Sequence, residues 1–340
     1  MNDDYLWDRS GHPDPETERL ERLLGPLRRD HRADELRIGL TLPTKPAPPA
    51  WRRYLAPAAL AASIVLLVGN TWLNLRDVPG IWQVERLRGT PTVNASPLEQ
   101  SRGVRVDQWL VTDDASSARL SAADVGEVQI GPGSSVRLVS TERGEHRLEL
   151  ARGSLQAYIW AAPGRFFVDT PAATAIDLGC AYTLEVDARG DGRVRVTAGW
   201  VGLESGSRIV FVPAGATADM RSGRGPGTPH REAASEALAK GLALLDARDT
   251  VNGAAEGLDA VLAEAQPADA FTLWHLLSRL NRADAKRVCD RLTQLAPPPQ
   301  GVQLDRVLAG DRVALDAWWD SLGLGEAALF RTLKVRPAGR

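Results

Sequence analysis

Residues 54–75 carry no charged side chain, and no other stretch of this 340-residue chain matches them in length. At about 1.5 Å of rise per residue, a helix of that length covers the hydrocarbon core of a bilayer, which takes about 20 residues. The stretch therefore predicts a single transmembrane helix over 54–75, with Leu60, Ile64 and Leu67 in its apolar middle. Tyr54 and Trp72 stand at its ends, where interfacial aromatics belong. A secretory signal would begin near the first residue and close on a small-residue cleavage site, which a run starting at position 54 does not do. A core helix would show a polar stripe, yet residues 60–68 contain only Ser63. Pro57 falls in the first turn, where its missing N–H costs least.

Flanking charge sets the direction. Arg28, Arg29, Arg32, Arg37, Lys45, Arg52 and Arg53 precede the stretch, and only Arg76, Arg86 and Arg88 follow it closely. By the positive-inside rule the N-terminus is expected in the cytoplasm and everything after Arg76 outside it. The 41 basic and 43 acidic residues nearly cancel, to a net charge of −2, and form no block of one sign, which argues against direct nucleic-acid binding. Cys180 and Cys289 are the only cysteines. Each reads as a small buried hydrophobe, with a disulfide between them as the alternative in an oxidising compartment.

Residues 1–53 read as a short helical head followed by a Pro-rich linker at 43–49. Asp14 is placed to cap a helix, with Pro15 at its first position and Glu16 and Glu18 near the positive end of the dipole. Leu20, Leu23, Leu24 and Leu27 then recur on one face, and Gly25-Pro26 stops or kinks the helix. About three turns of helix are not stable alone in water, so this face must dock. It either folds back on Tyr5, Leu6 and Trp7 or binds a cytoplasmic partner. No cysteine occurs in the first 179 residues, which excludes a Cys/His metal cluster on that side.

After a linker assigned to 76–102, residues 103–222 change to short alternating runs at 108–112, 127–130, 135–139, 147–150, 166–168, 182–186, 193–197 and 209–212. Turn chemistry lies between them, at Gly131-Pro132-Gly133 and across 189–192. This spacing predicts an all-β sandwich, barrel or roll, with Val194, Val196 and Val201 facing the core and Gly179 marking a turn or a close backbone approach. Beyond the GRGPGTP segment, residues 230–340 are helical in pattern. Leu238, Leu242 and Leu245 trace one apolar face, and Phe271, Trp274, Leu277 and Leu280 another, which predicts an all-α antiparallel array similar to HEAT or TPR pairs. Trp318, Trp319 and Phe330 read as packing residues.

The succession GEVQIGPGSSVRLVS, LELARGSLQAYIW, GRFFVDTPAATAIDLGCAYTLEV, GRVRVTAGWVGLES and IVFVPAGATADM resembles the FecR family of membrane-anchored signalling regulators. Thr170-Pro171, Asp177-Leu178-Gly179 and the run from Val194 to Val201 stand in its register, with Cys180 where the family often has Thr. The resemblance implies a single-pass regulator in a bacterial inner membrane, with the later domains periplasmic. It further implies an anti-sigma factor whose head, through Leu6, Trp7, Leu20, Leu23, Leu24 and Leu27, holds an extracytoplasmic-function sigma factor. An envelope protein or outer-membrane transducer is the implied partner outside, and release follows conformational change or proteolysis near 54–75. The alternative is a membrane-anchored periplasmic interaction module with no sigma-factor role. A carbohydrate-binding β domain is a third option, and it needs an exposed aromatic platform from Trp109, Tyr158, Trp160 or Trp200.

No enzyme is expected. The histidines, at 12, 31, 146, 230 and 275, are scattered, and the chain lacks G-x-S-x-G, H-E-x-x-H and P-loop patterns. No cofactor and no metal are implied.

Overall fold

In the computed structural model the described residues are 82–247 and 255–325, together with Pro15, Glu18, Arg19 and Arg22, which are helical and exposed. The leucine face of the head (Leu20, Leu23, Leu24, Leu27, with Leu6 and Trp7) lies outside the described residues, as do Tyr54, Leu60, Ile64, Leu67 and Trp72. The expected fold, with its transmembrane helix, is corrected. Among the described residues no helix is long and apolar enough to cross a membrane. The longest, Arg282–Leu295, has 14 residues and is rich in Arg and Asp; it spans about 21 Å, short of the bilayer core. What is described is a β-rich body followed by a helical region.

The strands form two sheets that share one long strand, His146–Ile159. Its first half pairs with Ser135–Ser140 on one side and, in parallel, with Phe166–Asp169 on the other. Its second half pairs with Gly126–Ile130 and Ala181–Val186. The strand crosses from one sheet to the other at Gly153, whose φ is +94° and where a Cβ would stand 2.2 Å from the Ser134 hydroxyl. Only glycine meets both demands. Around this spine the first sheet runs Ser101–Val104, Trp82–Arg88, Ser117–Ala122, Gly126–Ile130, spine, Ala181–Val186, Gly192–Ala198, Ala216–Arg221. The second runs Thr92–Val93, Trp109–Val111, Ser135–Ser140, spine, Phe166–Asp169, Thr174–Asp177, Trp200–Ser205, Arg208–Pro213.

Alternation supplies the core. Ala118, Leu120, Val128, Leu155, Leu184, Val194 and Val196 from the first sheet join Leu110, Val136, Leu148, Phe166, Val168, Val201 and Leu203 from the second in one buried cluster. Each large side chain so buried stabilises by about 1.5–3 kcal/mol. Three strands, Trp82–Arg88, Thr92–Val93 and Ser96–Pro97, lie inside residues 76–102, where the sequence suggested a linker, and a fourth, Ser101–Val104, begins there. Three of them are too short to show a period, and Trp82–Arg88 buries only its first half.

Trp200–Ser205 and Arg208–Pro213 each bury three or four successive residues. Consecutive burial means cover on both faces, and the helices supply it. They are α1 (Glu236–Asp246), α2 (Ala255–Glu264), α3 (Ala270–Leu277), α4 (Arg282–Leu295), α5 (Leu304–Leu308) and α6 (Arg312–Ser321). Side chains cap three of them. Ser235 accepts from the Leu238 N–H, Asn281 from Asp284 and Asp311 from Ala314. Trp318 and Trp319 are fully buried, in keeping with a packing role; Phe330 lies outside the described residues.

Candidate functional site

Two polar constellations interrupt the apolar interior. The first lies in the tight connections of the second sheet. Phe166–Asp169 turns into Thr174–Asp177 through Thr170, whose hydroxyl accepts from the Ala173 N–H at 3.0 Å and donates to the Ala173 carbonyl at 2.7 Å. Asp169 is held by Arg147 at 2.6 Å and by the Thr174 hydroxyl at 2.8 Å, and Arg147 also lies over the Phe167 ring, 4.6 Å from its centroid. At the far end of that hairpin Asp177 accepts from the Gly179 N–H at 2.8 Å and from the Cys180 thiol at 2.6 Å. Burial pushes the Asp177 carboxyl up to about 6 against those two donors. Burial first, and then the Asp177 charge, push the Cys180 thiol and the Tyr182 phenol up. A thiol so raised is no nucleophile at neutral pH. Cys180 and Cys289 are both buried and free.

The loop that carries Asp177 depends on two glycines. Gly179 has φ +83° with open space where its Cβ would be, so the turn rather than a close approach requires it. The close approach belongs to Gly199, at φ +67°, whose Cβ would lie 2.1 Å from the Gly179 carbonyl oxygen.

The second constellation joins the sheet edge to the helices. The Phe211 N–H donates to Nε2 of buried His275 at 3.1 Å, and Nδ1 of the same ring lies 2.8 Å from the Phe271 carbonyl. With Nε2 accepting, Nδ1 donates, and the ring is neutral. Trp319 packs against Trp200, Phe211, Trp274 and His275, with centroid distances of 5.7, 5.7, 4.8 and 5.4 Å. Beside this cluster Asp246 accepts from the Thr228 N–H at 2.7 Å and from its hydroxyl at 2.9 Å, and Arg279 reaches both Thr228 and Asp246. Asp246 is the last residue of α1, where a carboxylate opposes the helix dipole, so these partners are what keep it there. Arg231 grips buried Asp269 with two bonds, of 2.7 and 2.9 Å.

Of the aromatic residues considered for a platform, Trp200 packs on Trp319, and Trp109 is half-buried beneath Arg137 at 5.2 Å. Tyr158 and Trp160 are 39 % and 57 % exposed. No group of His, Cys, Asp and Glu among the described residues is arranged to hold a metal ion. The Asp246, Thr228 and Arg279 cluster escaped sequence reading because its members stand 18 to 51 positions apart; the one local sign was an acid closing a helix.

A family model described as FecR protein matches residues 108–202. The chain carries a FecR domain. The matched stretch takes in the spine strand, the Thr170 turn and the Asp177 loop, and it ends inside Trp200–Ser205. A FecR domain points to a regulator rather than to an enzyme. Two crystal structures of a candidate anti-sigma factor from Parabacteroides distasonis ATCC 8503, at 1.65 and 2.50 Å resolution, are similar to the chain at 13 % identity and a TM-score of 0.33. The similarity covers 40 % of this chain and 64 % of those, so the chain spans less than two thirds of their length. No curated protein matches it.

Proposed function

We propose that this FecR-domain protein is a signalling regulator of the anti-sigma type. It acts at a bacterial inner membrane, with residues 1–53 in the cytoplasm and the β and helical regions outside. In this reading the head holds an extracytoplasmic-function sigma factor through Leu6, Trp7, Leu20, Leu23, Leu24 and Leu27, and an envelope protein or outer-membrane transducer addresses the FecR domain. The family match over 108–202 is the observation that carries it. The location is the one that resemblance to the FecR family implies, and the basic excess before residue 54 is in keeping with a cytoplasmic N-terminus.

A pull-down with residues 1–50 against the host's sigma factors tests the reading, with Leu20→Asp and Leu24→Asp as controls. Capture of one extracytoplasmic-function sigma factor, abolished by either substitution, is the expected result. Capture of none, together with unchanged transcription in a strain whose chain lacks residues 1–50, would replace the regulator with a scaffold.

A further inference from the structure

Strand Arg208–Pro213 opens on a guanidinium with unmet bonding needs. Nε and Nη2 of Arg208 are buried and find no hydrogen-bond acceptor among the described residues. Guanidinium N–H groups buried without an acceptor are costly, and native structures seldom keep them without a reason. The neighbourhood deepens the cost. Arg279 places a second positive charge near Arg208, and the carboxylate that offsets it, Asp246, is already bound by Arg279 and Thr228. Burial and the Arg279 charge push the Arg208 guanidinium down to about 10, although Asp246 acts the other way.

Arg208, Gly227 and Thr228 form the shared wall of two clefts, of about 430 and 930 Å³. The larger is within the size range of small-molecule sites. Its charged lining is Glu204, Arg208, Arg279 and Arg312, which leaves an excess of positive charge. The remainder is largely apolar, with Phe211, Trp274, Leu277, Leu280, Leu308 and Leu315 contributed by the sheet edge and by helices α3, α5 and α6 or their flanks. An anion alone would leave that wall unused, and an apolar molecule alone would leave Arg208 unpaired.

We propose that the larger cleft binds a small amphipathic anion, a carboxylate or phosphate monoester on an apolar body, with Arg208 taking the anionic group and the Leu and aromatic wall taking the body. Rotation about its long stem lets the planar Arg208 fork meet two oxygens at once. A molecule so held touches the sheet edge and the helices together, and its binding tightens their contact. The inference stands apart from the regulator reading, since it uses only residues between 204 and 315.

The test is isothermal titration of the full-length chain with octyl phosphate and octanoate below their micelle concentrations, with inorganic phosphate and octanol as the two half-probes. Saturable one-site binding of either amphiphile, with both half-probes at least tenfold weaker, is expected, and the stronger of the two names the headgroup. Arg208→Gln should weaken that binding at least tenfold, Arg208→Lys should fall between, and Arg193→Gln on the other sheet should change nothing. Without ligand, Arg208→Gln should melt no lower than the parent, because it removes buried donors that find no acceptor. Absence of saturable binding, equal binding to Arg208→Gln, phosphate binding as tightly as its octyl ester, or a large loss of melting temperature in Arg208→Gln would each overturn the proposal.

Discussion

Between the two sheets the interior is mostly Val, Leu and Ala, set there by alternation along many strands, whereas the contact between the second sheet and the helices is aromatic and polar. Trp200, Phe211, Trp274, His275 and Trp319 make the latter, with Arg231–Asp269 and Arg279–Asp246 at its border. An aliphatic core spread over a dozen strands distributes its stabilisation, and no single residue decides it. A contact made of a few rings and directed hydrogen bonds concentrates its stabilisation, so one substitution there should release the helices while the sheets persist.

The strongest way to break that contrast is Trp319→Ala. Removing a fully buried indole with four aromatic neighbours should cost about 3–5 kcal/mol. Chemical denaturation followed by near-UV and far-UV circular dichroism should show the helical region unfolding first, with the β signal lost later. Simultaneous loss would mean that the two regions form one cooperative unit.

Asp177 sharpens the sandwich side. Its carboxyl holds a proton more tightly in the folded chain, at about 6 against an ordinary 3.8. Its contribution to stability is therefore complete below about pH 4 and is lost as pH rises through 6. The shift of about two units corresponds to about 3 kcal/mol. Unfolding free energies from chemical denaturation between pH 4 and 8 should fall by that amount relative to Asp177→Asn, and parallel profiles for the two proteins would show that the carboxyl is not held this way. Gly199→Ala should have the smallest effect of the three, about 2 kcal/mol, from forcing an L-residue to φ +67° against the Gly179 carbonyl. A thermal melt of the variant matching the parent would place the strain elsewhere.

The legibility of the chain followed the same division. Ser117–Ala122, Gly126–Ile130 and Ala181–Val186 bury alternate residues as a period of two requires, and Val194, Val196 and Val201, expected in the core from that period alone, are fully buried. The FecR register was readable for a related reason, since Thr170 and Gly179 fix local turns whose chemistry is contained within a few positions. Contacts between distant segments were not readable. Nothing local to Phe211 indicates that its N–H meets His275, 64 positions on, and the pattern of Trp82–Arg88 is obscured by the register shift between Arg86 and Arg88. Periodicity likewise gives a face and not a depth, which is why Tyr158 and Trp160 are more exposed than an apolar run suggests. The head residues named for partner binding lie outside the described residues, so their role rests on the sequence.

The shared strand His146–Ile159 also bears on how the molecule is made. Synthesis delivers residues 82–140 first, and their inner strands, Gly126–Ile130 and Ser135–Ser140, each await a partner that only the spine supplies. Until Ile159 has cleared the ribosome, both half-sheets keep an unpaired edge, the kind of edge that invites pairing with another chain. Once it has, one strand closes both edges and offers its opposite side to Phe166–Asp169 and Ala181–Val186. A nascent chain halted before residue 159 should therefore aggregate, and one halted a few tens of residues later should not.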